Sequence, residues 1–195
     1  MAGRSEARKA ALKERLTDLA ETRIAAEGAG ALRARDLAKA AECSVGQIYN
    51  VFPDMNALVM EVNGRTFRRI HARVGASVDK GQPPVDQLIA LSRAYLAFAA
   101  EERSLWRALF DLETTEDQAP EWYLRALEEL FAHIAVPVAA LFPELGREDV
   151  GRMTRALFSS IHGIVLLGLE RRISAVPEAE IARMIELVLR RIGTA

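Results

Sequence analysis

At 195 residues and half hydrophobic, the chain can bury one generous core or two unequal ones, so it needs no disulfide or metal staple. Its single cysteine, Cys43, has no partner to bridge and no CxxC spacing, which excludes a disulfide framework and a zinc finger and fits a reducing compartment. The formal net charge of -1 conceals a split: residues 1–75 hold 13 Lys and Arg against 9 Asp and Glu, whereas residues 76–195 hold 13 against 18, so only the first end suits phosphates.

Helix formers dominate and no stretch alternates with period two for long enough to make a strand, so the sequence reads as all-α, with about nine helices. The N-terminal run MAGRSEARKAALKERL is charged and lacks an apolar h-region, and no apolar stretch approaches the roughly 18–20 residues that span a bilayer. A cytoplasmic protein without membrane contact is expected. The first helix is predicted from Glu6 to Ala26, with Leu12, Leu16, Leu19 and Ile24 as its apolar stripe and Gly28 and Gly30 as its stop. A short helix follows from Arg35 to Ala41, then a tight link at Glu42-Cys43, then a third helix from Val45 to Val51 with Ser44 as N-cap. Asp54 caps a fourth helix that buries Leu58, Val59 and Val62 and runs towards Val74. The segment DKGQPPVD, Asp79 to Asp86, marks a linker, giving a head over 1–75 and a body over 80–195.

Beyond the linker, Leu88, Leu91, Tyr95 and Phe98, then Leu105, Trp106, Leu109 and Phe110, recur at helical steps. The polar run Glu113 to Ala119 reads as a loop, and Pro120 opens a helix through Trp122, Leu127, Phe131 and Ile134 that Pro137 should kink or break. A long helix from Arg147 to Arg172 carries ALFSSIHGIVLLGL, apolar on almost every face. Such a helix needs cover from two sides, and a second copy of the chain best supplies the outer one. The last helix, opened by Pro177 and carrying Ile181, Ile185, Val188 and Ile192, would complete a four-helix dimer bundle. The alternative is an internal core helix in a monomer.

The informative stretch is RARDLAKAAECSVGQIYNVF, Arg33 to Phe52. In a helix-turn-helix the first short helix braces the second, so small or apolar residues must stand where they meet; Leu37, Ala38, Ala41, Val45, Ile48 and Phe52 do. Ser44, Gly46, Gln47, Tyr49 and Asn50 fall on the outer face of the second helix. The amides of Gln47 and Asn50 can both donate and accept along an adenine edge, and Gly46 lets the helix N-terminus approach a phosphate closely.

This stretch resembles the tetracycline-repressor-like (TetR) family, whose signature runs from an Ile/Leu-Ala pair through a Gly-Val-Ser-type turn to Tyr-x-x-Phe and Pro-x-Lys-x-x-Leu. Those places hold Leu37-Ala38, Ala41-Glu42-Cys43-Ser44, Tyr49-Asn50-Val51-Phe52 and Pro53-Asp54-Met55-Asn56-Ala57-Leu58. The resemblance covers about the first 65 residues, with a similar helical layout behind. Ser160-Ile161-His162-Gly163 also looks like the His-Gly motif of one TetR-like body class, with Phe158 where a tryptophan usually precedes. Three positions depart from the signature. Met55 replaces the lysine that meets a phosphate, so Arg35, Arg65 and the basic Arg4, Arg8 and Lys9 are the candidates to compensate. Arg33 stands where Thr or Ser commonly caps the brace helix, trading a cap for a cation. Glu42 replaces the turn glycine, a strained exchange if that backbone is left-handed.

The resemblance implies a homodimer through the last two helices, gripping a palindromic double-stranded DNA operator with two recognition helices about 34 Å apart. Arg33, Arg35, Ser44, Val45, Gly46, Gln47, Tyr49 and Asn50 are the expected DNA-contacting set. A small hydrophobic effector of unknown identity would release the operator by favouring a different spacing of the heads. Trp106, Phe110, Trp122, His133, Met153 and His162 are its candidate contacts, with Tyr123 and Phe131 beside them, although each of these also suits plain core packing. No metal spacing joins His71, His133 and His162, no cofactor motif occurs, and HExxH, GxSxG and a phosphate loop are all missing, which argues against an enzyme. The second reading is a ligand-binding or protein-interaction module that kept the fold and lost DNA binding, which Met55 would favour.

Overall fold

The computed structural model describes residues 2–112, 119–170 and 176–193. Among the described residues the chain is all-α, with nine α-helices, one 3-10 turn and no strand. In chain order these are α1 (Ala2–Glu27), the 3-10 turn Ala29–Ala31, α2 (Ala34–Ala40), α3 (Val45–Val51), α4 (Met55–Ser77), α5 (Pro84–Glu101), α6 (Arg103–Ala108), α7 (Glu121–Leu141), α8 (Arg147–Leu169) and α9 (Glu178–Ile192). The basic N-terminal residues Arg4, Arg8 and Lys9 thus lie on α1 itself, which starts four residues before the apolar stripe would place it. Residues 113–118, most of the expected loop, and the expected end of α8 at Arg172 lie outside the described residues.

Packing groups the chain into two compact units that interleave along it: 1–68 with 102–123, and 69–101 with 124–195. In the first unit, Leu16, Ala20 and Ile24 of α1 meet Leu37 and Ala38 of α2, Ile48 of α3, Leu58 and Val62 of α4, and Leu105 and Ala108 of α6. Burying a side chain such as Ile48 is worth about 1.5–3 kcal/mol, so this shared core is what fixes the short helices α2 and α3, which are too short to persist alone. Gly28 ends α1 at φ 84, a left-handed angle open to glycine, and its N–H donates to Ile24 O at 2.8 Å.

In the second unit, α5, α8 and α9 pack together through Leu88, Leu91, Leu96 and Phe98, then Leu157, Ile161 and Val165, then Ile181, Ile185 and Leu189. Contact between α8 and α9 is close because Gly168 faces Ile181: a Cβ there would lie 2.5 Å from Ile181 Cδ1. The Asp79–Asp86 segment sits inside this unit, with Asp79 Oδ1 accepting from Gly81 N–H at 2.9 Å before α5 begins at Pro84.

One helix expectation changes. α7 runs through Pro137 without a break, and Pro137 and Val138 are buried. Tertiary burial there outweighs the one ladder hydrogen bond that proline forfeits. α8 buries one stripe within the chain, Thr154, Leu157, Ile161 and Val165, and leaves the apolar Leu167 58% exposed on its outer side.

Candidate nucleic-acid interface

The turn between α2 and α3 is closed by Ala41 N–H donating to Leu37 O at 2.8 Å and Cys43 N–H donating to Ala38 O at 2.9 Å. Between them Glu42 adopts φ 48, so the left-handed angle is present and a side chain occupies it. Its carboxylate approaches Arg15 at 3.8 Å on the surface, a contact of little energetic weight. Ser44 then begins α3 with a full capping box: Ser44 Oγ accepts from Gln47 N–H at 3.2 Å, and Gln47 Oε1 accepts from Ser44 N–H at 2.8 Å.

Ile48 is completely buried, so α3 has one anchored face. Ser44, Gly46, Gln47, Tyr49 and Asn50 are all exposed, Tyr49 by 48%, and Val45 packs part-buried against the core. A buried Ile48 behind an exposed, mostly polar face is the arrangement that base readout needs. Gln47 is the qualification. Its amide oxygen already accepts the capping-box hydrogen bond, which leaves the Nε2 donor and one remaining lone pair for a base edge.

The cations around α3 divide into engaged and available. Arg33 is the N-cap residue of α2 without a side-chain cap; its guanidinium folds back, Nη1 donating to Gly30 O at 2.6 Å and to Leu32 O at 3.0 Å. Arg35 is exposed in the first turn of α2. Asp54 caps α4 by accepting from Ala57 N–H at 2.7 Å, and Met55 behind it packs part-buried against the core. Arg65, a candidate to replace the missing lysine, is not free for phosphate. It donates to Asp18 at 2.7 Å and Glu21 at 2.8 Å and also pairs with Glu14. Burial alone would lower its pKa, but the hydrogen bonds to Glu21 and Asp18 and the charge of Glu14 outweigh that and hold the guanidinium above its ordinary value. Linear distance hid this network, because its partners lie a whole helix apart in sequence.

Of the expected effector contacts, Trp106, Phe110 and Trp122 belong to the first unit and His133, Met153 and His162 to the second. Trp106 is 1% exposed and meets Phe110 edge-on at 5.7 Å, while Phe110 itself is 46% exposed. Trp122 lies across Gly64 of α4, where a Cβ would come within 2.7 Å of its ring. Beside it, Asn63 is fully buried and donates from Nδ2 to Ala108 O at 3.0 Å and to the Tyr123 hydroxyl at 3.4 Å. In the second unit, His162 Nδ1 lies 2.9 Å from the Tyr95 hydroxyl and its ring stacks on Phe158 at 5.6 Å. Burial pushes the His162 pKa down, so its neutral form is favoured. Thr154, two turns earlier on α8, has a buried hydroxyl without a hydrogen-bond partner among the described residues. Met153 is half-buried. His133 meets His71 instead of an aromatic wall. An open cleft of about 650 Å³ on the first unit is lined by Asp18, Glu21, Thr22, Ala25, Ala26 and Leu105, none of them a predicted contact.

A family model described as tetracyclin repressor-like, C-terminal domain, matches residues 88–192, more than half of the chain. The chain belongs to the TetR-like family. No curated protein matches it. Among solved structures, a Rhodococcus protein of unknown function aligns with a TM-score of 0.72 at 22% identity, covering 92% of this chain and 93% of its own. A TetR-family regulatory protein from Rhodococcus aligns at 0.66 with 20% identity, covering 93% and 97%. FadR, a TetR-family transcriptional repressor from Thermus thermophilus in complex with lauroyl-CoA, aligns at 0.65 with 23% identity, covering 91% and 93%. At these identities the likeness establishes the fold. The TetR fold accounts for the helix-turn-helix of α2 and α3 and for the helical body. Among the described residues no helix is long and apolar enough to cross a membrane.

Proposed function

We propose that this TetR-family chain is a cytoplasmic DNA-binding transcription regulator, not an enzyme: a repressor that a small hydrophobic effector releases from a palindromic operator. The observation that carries this reading is α3, whose capping box and buried Ile48 fix a helix that offers Gly46, Tyr49, Asn50 and the Gln47 donor to solvent. Residues 1–75 would serve as the DNA-binding head and 80–195 as the sensing and dimerising body. Arg35 on α2 and Arg4, Arg8 and Lys9 on α1 are exposed cations suited to phosphates, and Arg33 would have to leave its carbonyls to join them.

The apolar side chains left exposed on α8 and α9, Leu167, Met184 and Leu187, support a homodimer through those helices. Two heads related by two-fold symmetry would then address half-sites about 34 Å apart or a multiple of it. For the effector, the His162–Tyr95–Phe158 cluster and the Thr154 hydroxyl, buried without a hydrogen-bond partner among the described residues, offer polar groups inside an apolar body, and the similar FadR structure, which holds lauroyl-CoA, supports an acyl-type effector. The alternative, a module on this fold without DNA binding, draws support from Met55 and from the sequestered Arg65.

Selection from random duplex DNA, followed by titration at several salt concentrations, tests the two readings. A regulator yields an enriched inverted repeat and a log affinity that falls linearly with log salt, implying several phosphate contacts. Absence of any enriched sequence at low salt would favour the module.

A further inference from the structure

Apart from α3 and from the His162 cluster stands a pair of histidines, one of them the candidate effector contact His133. His71 of α4 and His133 of α7 both belong to the second unit, and their rings meet at a centroid distance of 4.6 Å. The His133 Nε2 lies 3.2 Å from the His71 Nδ1. One turn after His71, α4 carries Gly75, and a Cβ there would stand 3.2 Å from His133 Cε1. Glycine inside a helix is less stable than alanine, and here its missing side chain makes room for the His133 ring. The pair is therefore seated by the backbone of α4.

We propose that His71 and His133 form a two-histidine site for a divalent transition-metal ion of the nickel, copper and zinc group. Imidazole nitrogens bind such ions at about 2.0–2.1 Å, and two donors 3.2 Å apart at that distance subtend about 100° at the metal, between the octahedral and tetrahedral values. The spacing of the two nitrogens already suits a shared ion. The proton now shared between the two nitrogens moves to the outer nitrogen of the ring that donates it, which leaves both facing lone pairs for the ion. Burial and the neighbouring His71 push the His133 pKa down, which lessens proton competition at neutral pH. No cluster of three or more His, Cys, Asp or Glu able to hold a metal occurs among the described residues, and His71 is exposed, so water fills the other positions. The flanking charges, Arg68 and Arg69 and the Glu101-paired Arg73 on α4 and Glu128 and Glu129 on α7, tune the site without completing it.

Calorimetric titration of the untagged protein with Ni(II), Cu(II) and Zn(II) chlorides tests this. One ion should bind per chain, Cu(II) more tightly than Ni(II) or Zn(II). His71→Ala and the shape-preserving His133→Gln should each weaken binding at least tenfold, and a shift from pH 7.5 to 5.5 should weaken it similarly, while His162→Gln, which removes the remaining histidine, leaves it unchanged. Circular dichroism shows that the variants are folded. Saturable binding that survives both His71→Ala and His133→Gln, or no one-to-one binding in the parent, overturns the proposal.

Discussion

Glu42 shows most directly how a single side chain can work against its backbone. At φ 48 a residue with a Cβ carries about 1–2 kcal/mol of strain that glycine escapes, although glycine gives back part of this through its larger unfolded-state entropy. Glu42→Gly should therefore raise stability by about 0.5–1 kcal/mol, read as a higher melting temperature at unchanged helical content. An unchanged or lower melting temperature would show that the Arg15 contact or the turn's own hydrogen bonds dominate. Gln47 poses a different question, because its amide closes the capping box and also stands on the face proposed to read DNA. Gln47→Ala removes both roles. Gln47→Glu keeps the acceptor that closes the capping box and loses the donor, adding a negative charge near phosphate. The glutamate variant should melt with the parent and bind its selected site at least about tenfold more weakly, whereas the alanine variant should lose about 1 kcal/mol of stability as well. Equal DNA affinity of the glutamate variant and the parent would remove Gln47 from the reading set.

Much at this scale was legible in the chain itself. Ser44, Asp54 and the apolar brace residues follow from capping chemistry and helical periodicity, which are local, and the structure places each as expected. What escaped is equally physical. That the Gln47 oxygen is engaged depends on a rotamer, and that Arg65 is occupied depends on carboxylates 44 to 51 residues away. Neither leaves a mark on composition or spacing.

Among the elements, α1 and α4 are joined by charge as well as by apolar contact. Lys13 pairs with Glu61, and Arg65 spans Glu14, Asp18 and Glu21, successive turns of one helix face. Exposed pairs contribute about 0–1 kcal/mol each, but Arg65 is only 18% exposed, and removing it strips three carboxylates, the largely covered Glu21 among them, of this ion pair. Arg65→Ala should cost about 1–2 kcal/mol, less in high salt, and leave the salt slope of DNA binding unaltered. Arg35→Ala should do the reverse, lowering that slope by about one unit with little effect on melting. A reduced slope in the Arg65 variant would return it to the phosphate grip. Helix boundaries were readable where caps are explicit, as in α3, and less so at Pro137, where the rule against internal proline yields to burial.

At the level of the whole molecule, compactness does not follow chain order. Pro83 and Pro84 mark a joint in the sequence, yet α6, beyond that joint, contributes Leu105 and Ala108 to the same core as α1 and α3. No linear reading of turn residues could show that return, because it is a property of packing. The same reasoning bears on the proposed dimer. α9 buries Ile181, Ile185 and Leu189 against its own unit, so Met184 and Leu187, with Leu167 of α8 exposed as well, are apolar area that a monomer leaves in water. Scattered exposed leucines are ordinary, but three apolar side chains on two adjacent helices suit the apolar centre of an interface of about 1,200–2,000 Å². The double variant Leu167→Glu, Leu187→Glu would place two carboxylates there without touching the inner stripe. It should retain its helical content yet sediment as a monomer, and its affinity for a two-half-site operator should fall at least about 100-fold because one head reaches only one half-site. A variant that still sediments as a dimer would move the interface off these helices, and a monomer that still binds the operator at full strength would sever symmetry from recognition.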